Sequence, residues 1–256
     1  MYKILKKQKI GQDIYELQIQ APHIVKYAKP GNFVIIRNGK GKGMTFPLAD
    51  YNRKSISVVF QSNGKDTREL AKLRKGNFLA DIAGPLGNPS NIDEFGRVCL
   101  IAEDMGCVST YLISKALKKK GNEIINIISA KTKDKLVWPD KFDEVSDKLF
   151  VCTRDGSMGE KCPVTKPLEN LIRNNYFNRV LAVGSVEMMS ETARLTYQRA
   201  RTYVHLFPAT SDGLGICGGC RINVGGETRL ACMDGPEFDA HEVDFDALKR
   251  KRFHQH

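Results

Sequence analysis

Short runs of apolar and β-branched residues, separated by turn signals, dominate the first hundred positions of the chain. Three runs predict strands: Ile14–Ile19, Phe33–Ile36 and Ser55–Phe60. One helix is expected among them, over Arg68–Leu73, with Asp66-Thr67 as its cap. Strands this short and this evenly spaced predict a small antiparallel barrel.

The hydrophobic pattern changes near Val98, where apolar runs begin to alternate with stretches of helical spacing. The runs predict buried strands over Val98–Ala102, Ile124–Ala130, Leu149–Thr153, Val180–Val183 and Val204–Phe207. The stretches between them predict helices over Thr110–Lys120, Thr165–Arg173 and Met188–Arg199. Strands that alternate with helices indicate right-handed βαβ units, so we predict an α/β domain with a parallel sheet.

Local composition divides the chain into three parts. The turn cluster Gly84–Pro89 marks a boundary, and from about Pro208 the chain is rich in Gly and Cys with little periodicity. We therefore expect a barrel domain over 1–95, an α/β domain over 96–207, and a small C-terminal lobe with its tail over 208–256. No run approaches the ~18 apolar residues of a membrane span, and the N-terminus lacks the apolar stretch of a signal peptide.

Charge and cysteine content narrow the possible functions. The 256 residues include 40 Lys+Arg against 29 Asp+Glu, a net charge of +11, which suits a nucleic acid, an acidic partner or a solubility coat. No helix-turn-helix, zinc finger or aromatic RNA-binding signature accompanies the basic runs, so nucleic-acid binding is not expected. Seven cysteines, an odd number, argue against a disulfide scaffold and favour a reducing cytoplasm.

The strongest chemical signal is a cluster of cysteines near the C-terminus. Cys217-Gly-Gly-Cys220 is followed twelve positions later by Cys232, and Asp212 stands five positions before Cys217. In the C-x₄-C-x₂-C…C pattern of [2Fe–2S] proteins, Asp212 occupies the place of the first thiolate. Three thiolates and one carboxylate complete the ligation of a two-iron cluster, and the hard carboxylate is expected to change its potential. A structural zinc knuckle, which also uses C-x₂-C pairs, remains the alternative.

The other four cysteines have simpler interpretations. Cys99 and Cys152 lie within apolar runs, which predicts buried, hydrophobic thiols. Cys107 and Cys162 are expected in loops, and neither has an obvious base nearby in the sequence that would support a catalytic thiol.

Several motifs together resemble one known family almost from end to end. They are Ala28–Val34, Gly64–Leu70, Gly84–Gly87, Asp155–Gly159 and, most specifically, Cys217–Cys232 with its continuation to Asp239. The chain resembles the ferredoxin–NADP reductase-like electron-transfer subunits, a group that includes the electron-transfer subunit of dihydroorotate dehydrogenase and the small subunit of NADH-dependent ferredoxin–NADP oxidoreductase. Sulfide dehydrogenase and sulfhydrogenase subunits belong to the same group.

The resemblance implies a fold and a set of cofactor sites. It makes residues 1–95 an FAD-binding-type barrel, 96–207 an NAD(P)-binding-type domain and 208–256 a [2Fe–2S] lobe. The implied cluster ligands are Asp212, Cys217, Cys220 and Cys232, and an aspartate is similarly the first ligand in one branch of the family. The implied flavin contacts are Thr45, Phe46, Pro47, Leu48, Gly64, Lys65 and Thr67. The implied nucleotide contacts are Gly106, Asp155 and Gly156.

Two departures from the family pattern alter these expectations. The family's G-G-G-x-G turn is Ala102-Glu103-Asp104-Met105-Gly106 here, so side chains and two carboxylates stand where a dinucleotide pyrophosphate would arrive. We therefore predict a degenerate NAD(P)H site, the alternative being that Glu103 and Asp104 turn outward to solvent. Thr45 replaces an arginine that reaches the flavin in the family, which leaves FAD binding open.

The expected function is electron transfer within a hetero-oligomeric complex. A [2Fe–2S] cluster, with or without FAD, would relay electrons between a nicotinamide couple and a larger iron–sulfur or flavin oxidoreductase subunit. Independent oxidation of NAD(P)H by this chain is not expected. A non-catalytic scaffold subunit, with a structural iron–sulfur or zinc lobe, is the alternative. The positive charge is predicted to serve docking to an acidic partner subunit.

Overall fold

The described residues between Tyr2 and Leu86 form two small antiparallel sheets around a shared core. The computed structural model describes residues 1–37, 43–207 and 210–250. The elements of this part are β1 (Tyr2–Gly11), β2 (Ile14–Gln20), α1 (Pro22–Val25), β3 (Phe33–Arg37), β4 (Met44–Pro47), β5 (Asp50–Tyr51), β6 (Ser55–Gln61), α2 (Lys65–Lys72), β7 (Phe78–Leu79) and β8 (Asp81–Leu86). The strand orders are β5-β6-β2-β1-β7 and β4-β3-β8. The predicted antiparallel domain is therefore confirmed.

Alternating burial explains how these strands enclose a core. In β2, Leu17 and Ile19 are buried while their neighbours are more exposed, because successive side chains of a strand face opposite sides. Both residues belong to a cluster that includes Phe46 of β4. Leu112 of the following domain completes the same cluster, so the barrel core continues into its neighbour.

A six-stranded sheet with helices on its faces follows the barrel. Its elements up to residue 205 are β9 (Arg97–Glu103), α3 (Gly106–Lys119), β10 (Glu123–Ala130), α4 (Pro139–Val145), β11 (Lys148–Thr153), α5 (Thr165–Asn174), β12 (Arg179–Val183), α6 (Val186–Thr196) and β13 (Thr202–His205). The order β11-β10-β9-β12-β13 is parallel throughout. Strands covered on both faces carry continuous apolar runs, and this explains why the sequence predicted them.

The C-terminal lobe consists of a hairpin and short elements that return to the large sheet. They are β14 (Arg221–Val224), β15 (Glu227–Leu230), α7 (Ala231–Asp234), β16 (Glu237–Asp239) and α8 (Phe245–Arg250). Gly225 and Gly226 form the hairpin turn with φ of +59° and +79°, the left-handed region that two-residue hairpin turns require. Strand β16 pairs antiparallel with β13 and becomes the sixth strand. The start of the predicted lobe at 208 and its tail at 251–256 lie outside the described residues.

A buried charge cluster joins this lobe to the α/β domain. The Arg179 guanidinium donates to the Glu237 carboxylate and lies over the rings of Phe95 and Tyr203. The His205 Nε2 atom lies 3.2 Å from the second carboxylate oxygen. Burial alone would raise the pKa of Glu237, but the hydrogen bond with His205 and the charge of Arg179 lower it to about 2. The carboxylate therefore bridges β12, β13 and β16 in its charged form.

The structure shifts several predicted element boundaries. The helix predicted from Thr110 begins at Gly106, and the one predicted over Arg68–Leu73 begins at Lys65. Thr67 therefore lies in the first turn of α2, where its hydroxyl accepts a hydrogen bond from the Gly64 amide. The loop predicted for Cys107 is wrong, because this residue is fully buried in α3. Within the described ranges, every helix is too short or too polar to span a membrane.

Candidate functional site

The cysteine segment brings four predicted ligands together as two pairs. The Asp212 carboxylate accepts the amide hydrogens of Leu214 and Cys217, each at 2.6 Å, and also contacts the Cys217 thiol. The Sγ atoms of Cys220 and Cys232 lie 3.1 Å apart. Residues 211–219 have no regular structure, and Cys232 lies in α7, directly after the β14–β15 hairpin.

Thr210 connects the two pairs. Its Oγ1 atom lies 3.6 Å from the Cys217 Sγ atom, and its hydroxyl also donates toward Cys232. The same oxygen accepts the Gly213 amide hydrogen at 3.1 Å, which fixes the turn that precedes the first cysteine. Thr210 was not singled out by sequence reasoning, since a threonine before a glycine-rich loop carries no distinctive signal.

Backbone amides surround the sulfur atoms. Asp212 beside the thiol raises the pKa of Cys217, but the amides of Gly219 and Ser211 outweigh it, and the net pKa lies below the usual range. Burial, and the contact with Cys220, raise the pKa of Cys232 to about 11, although the Gly215 amide opposes them. The hydrogen bonds of Asp212 to Cys217 and Leu214 lower its own pKa to about 2. Both groups therefore lose a proton more readily than they would without these hydrogen bonds.

The pairing of the four predicted ligands can be compared with the donor sets of a two-iron cluster and of a single zinc ion. Among the described residues, no three His, Cys, Asp or Glu side chains are arranged around one point. A zinc knuckle needs its donors to converge on one ion. A two-iron cluster instead takes two donors at each iron, which matches one carboxylate–thiol pair and one thiol–thiol pair. Amides directed at sulfur add hydrogen bonds of the kind that tune such clusters.

The start of the cysteine segment, at Thr210 and Ser211, lies against the barrel strands predicted to hold a flavin. The Thr45 hydroxyl of β4 donates to the carbonyl oxygen of Thr210 at 3.3 Å, and the Arg37 guanidinium donates to the Ser211 carbonyl at 3.2 Å. A Cβ atom on Gly43 would lie 2.8 Å from the Ser211 oxygen. Thr45, which replaces the expected arginine, therefore contacts the cluster segment directly.

The predicted flavin residues form two adjacent segments of the barrel. Phe46 and Leu48 are buried in the core, and the ring centroid of Phe46 lies 5.9 Å from that of Phe60 near the end of β6. Gly64 follows four residues later and begins α2, whose Lys65 side chain is exposed. Pro47 is partly exposed at the end of β4.

At the start of α2, one amide is already occupied. The Thr67 hydroxyl accepts the Gly64 amide hydrogen at 3.0 Å and donates to the Gly64 carbonyl. Thr67 is 5% exposed and acts within the protein as a helix cap. The remaining first-turn amides of the helix have no intrahelical partner, and these are the groups that a phosphate would use.

The turn at residues 102–106 is filled by a buried carboxylate. The alternative that Glu103 turns outward to solvent is wrong, because its side chain is 9% exposed. Its two oxygens accept hydrogen bonds from the Arg154 guanidinium at 2.8 Å and from the Ser185 hydroxyl at 2.5 Å. Glu103 therefore ties together the ends of β9, β11 and β12, at the edge where open α/β sheets bind ligands. Burial and the Glu103 charge also raise the pKa of Asp104.

The three predicted nucleotide contacts lie around this edge. A Cβ atom on Gly106 would lie 2.1 Å from the Val183 carbonyl oxygen, so the close packing of α3 on β12 requires glycine. Asp155 and Gly156 lie in the exposed loop after β11, where Asp155 accepts the Ser157 amide and hydroxyl hydrogens. Sequence reasoning missed Arg154 and Ser185, although Ser185 directly precedes a helix and is an expected cap.

Comparisons with known proteins agree with this architecture. A family model for the iron–sulfur cluster binding domain of dihydroorotate dehydrogenase B matches residues 210–244. The dihydroorotate dehydrogenase B (NAD(+)) electron transfer subunit homolog of Thermotoga maritima is 40% identical over 97% of this chain and 89% of that protein. The electron transfer subunit of Bacillus mycoides is 28% identical over 94% of this chain and 96% of that protein.

Solved structures also resemble this chain. A chain of the NADH-dependent reduced ferredoxin-NADP oxidoreductase, studied for flavin-based electron bifurcation, superposes with a TM-score of 0.92. The two chains are 39% identical, and the match covers 100% of this chain and 94% of that one. A ferredoxin NADP+ reductase from Neisseria gonorrhoeae, with bound FAD and NADP, is 16% identical at a TM-score of 0.62, over 79% of this chain and 97% of that one. This more distant likeness concerns the fold alone.

Proposed function

The chain belongs to the family of dihydroorotate dehydrogenase B electron-transfer subunits, and from this premise we propose that it relays electrons within a hetero-oligomeric oxidoreductase. The observation that carries the proposal is the pairing of Asp212 with Cys217 and of Cys220 with Cys232. These four residues would hold a [2Fe–2S] cluster. The cluster would supply one-electron transfer, and a flavin would convert a hydride into single electrons.

FAD is the second proposed cofactor, held on the barrel. The segment Thr45–Leu48 would lie beside the ring system, and Gly64, Lys65 and Thr67 would form the phosphate end at α2. The Phe46–Phe60 contact supports this, since it brings β4 beside the chain that leads into the helix. The cation of the absent arginine is not replaced by Thr45, whose hydroxyl is directed at the Thr210 carbonyl.

The nucleotide edge is proposed to be inactive in this chain. The buried Glu103 carboxylate occupies this edge and holds the Arg154 guanidinium, which is therefore already engaged and not available to a pyrophosphate. Gly106 then serves the close packing of α3 on β12, and Asp155 and Gly156 belong to the exposed loop beside the edge. Rapid stoichiometric bleaching of flavin by NADH or NADPH, followed by stopped-flow absorption with the isolated full chain, would contradict this proposal.

A larger iron–sulfur or flavin oxidoreductase subunit is the proposed partner, with docking favoured by the net charge of +11. A reducing cytoplasm is the proposed location, because free thiols and an iron–sulfur cluster persist there. We also propose that 1–95, 96–207 and 208–256 are the three functional parts, although Leu112 and β16 each pack across a boundary.

The test measures metal and colour in the full chain purified without oxygen. We expect about two iron and two sulfide per chain, with the broad visible absorption of a two-iron cluster. Cys220→Ser should lose most of the iron and the absorption. Cys99→Ala, which removes a buried thiol far from the segment in sequence, should retain both. A colourless protein that contains stoichiometric zinc would overturn the proposal.

A further inference from the structure

A second pair of cysteines lies outside the proposed cluster. The Sγ atoms of Cys152 and Cys162 are 2.7 Å apart. Cys152 is fully buried at the end of β11, and Cys162 is partly exposed in the segment that follows. Neither residue has a role in the proposed electron relay. Two thiols in contact can form a disulfide, which two isolated buried thiols cannot.

The backbone holds the two cysteines in register. The Glu160 amide donates to the Val151 carbonyl at 2.9 Å, and the Thr153 amide donates to the Glu160 carbonyl at 3.0 Å. This short parallel bridge attaches the segment around Glu160 to β11 on either side of Cys152. Between the two strands of the bridge, the Thr153 hydroxyl and the Met158 backbone exchange hydrogen bonds. Both cysteines are therefore presented by a fixed backbone.

From this geometry we propose that Cys152 and Cys162 are a redox-sensitive modification site, where a reversible disulfide forms under oxidation by a peroxide and is broken by a dithiol reductant. The Sγ–Sγ distance of 2.7 Å exceeds the length of a covalent S–S bond, about 2.0 Å, by less than one ångström, so only a small approach of the sulfurs is required. Disulfides in reducing compartments are characteristically transient and redox-sensing.

The two cysteines have different roles in this chemistry. The Cys162 thiolate, which solvent reaches, attacks one oxygen of hydrogen peroxide; the O–O bond breaks and a sulfenic acid and hydroxide form. The Cys152 sulfur then attacks the sulfenic sulfur and forms the S–S bond, and the sulfenic oxygen leaves as water after it takes up the Cys152 proton. Two thiols and one peroxide thus give one disulfide and two waters.

The disulfide would fasten the loop that borders the nucleotide edge. Residues 153–161 lie between the two cysteines and include Arg154, whose guanidinium holds the Glu103 carboxylate. A covalent link at the base of the loop restricts the movements that would release Arg154. Oxidation of the two cysteines would therefore restrict the movement of Arg154 at the edge of the α/β domain, and this effect does not involve the cluster.

The experiment maps disulfides in the full chain by mass spectrometry. The protein is equilibrated with hydrogen peroxide or with reduced dithiothreitol, its free thiols are alkylated, and it is digested with trypsin. Cleavage after Lys148, Arg154, Lys161 and Arg173 places Cys152 in 149–154 and Cys162 in 162–173. Cys99 and Cys107 share the peptide 98–115, so they are distinguished from this pair.

We expect peroxide to produce the linked peptides at a mass two hydrogens below their reduced sum, and dithiothreitol to abolish them. Cys162→Ser should eliminate the linked species, whereas Cys107→Ala should leave its yield unchanged. Because the wild-type map needs no variant, poor folding of either variant does not affect the conclusion. Full alkylation of Cys152 and Cys162 after peroxide treatment, or oxidation of Cys162 to sulfinic acid without linkage, would overturn the proposal.

Discussion

The Asp212 side chain gives the proposed cluster a mixed set of oxygen and sulfur ligands. A carboxylate is a harder ligand than a thiolate, and ligand identity sets the potential of such centres. We expect Asp212→Cys to retain about two iron per chain with a shifted reduction potential. Asp212→Ala should lose iron, because one site is left with a single protein donor.

These variants are compared by electron paramagnetic resonance of the reduced protein and by redox titration. Glu227→Ala, in the exposed turn region of the nearby hairpin, is the matched control and should leave both readouts unchanged. An unaltered spectrum and potential in Asp212→Cys would exclude Asp212 as a ligand.

Gly106 shows how closely one residue can constrain packing. Its ideal Cβ position lies 2.1 Å from the Val183 backbone oxygen, so any side chain must push α3 away from β12. We expect Gly106→Ala to lower the free energy of unfolding by about 3 kcal/mol. Denaturant unfolding followed by circular dichroism measures this change.

Gly226→Ala provides the comparison for Gly106→Ala. No heavy atom lies within 4 Å of the added Cβ at Gly226, and only its φ of +79° is strained. The expected cost is about 1 kcal/mol. Equal losses in the two variants would show that the approach to Val183 does not limit stability.

At the scale of elements, Glu237 links three strands of the large sheet through charge. Its pKa is lowered from 4.5 to about 2, so the ionised form stabilises the fold above pH 4.5, and this contribution is lost as the pH falls toward 2. At about 1.4 kcal/mol for each pKa unit, the contribution at neutral pH is about 3 kcal/mol.

Glu237→Gln tests this linkage. We expect the difference in the free energy of unfolding between the wild type and Glu237→Gln to shrink between pH 5 and pH 2.5, because the wild-type carboxylate loses its advantage there. Glu227→Gln, an exposed carboxylate paired with Arg229 on the hairpin, should show no such trend. A constant difference across this pH range would contradict the proposed role of Glu237.

Elements with strong local patterns could be predicted from the sequence, and those that depend on distant contacts could not. The strands β9, β10 and β12 are buried on both faces, and their apolar runs identified them. The hairpin strand β15 is largely exposed and polar, so no pattern marked it. Spacing alone was enough to propose the cluster ligands, since Asp212 and the three cysteines lie within about twenty residues of one another.

Glu103 illustrates what sequence reasoning missed at the site. Its partners Arg154 and Ser185 are 51 and 82 residues away in the chain, so only the folded sheet shows that the carboxylate is buried and paired. The same holds for the contact of Cys152 with Cys162, because a buried apolar run predicts one thiol but not its neighbour.

The whole molecule carries a net charge of +11, and we expect this charge to accelerate association with an acidic partner subunit. Raising the salt concentration from about 50 to 300 mM should weaken binding by about tenfold, mainly through a slower association rate. Surface plasmon resonance with the natural partner separates the two rates. Binding that is unaffected by salt would exclude electrostatic docking.

The pairing of β16 with β13 also affects whether the protein aggregates when iron is scarce. Strand β16 follows Cys232 by a few residues and covers an otherwise free edge of the large sheet. An uncovered edge strand is a template for pairing with other chains. A lobe that loosens without its cluster therefore exposes Thr202–His205 to self-association. Iron starvation would in this way cause the protein to aggregate and be removed, in addition to losing its electron transfer.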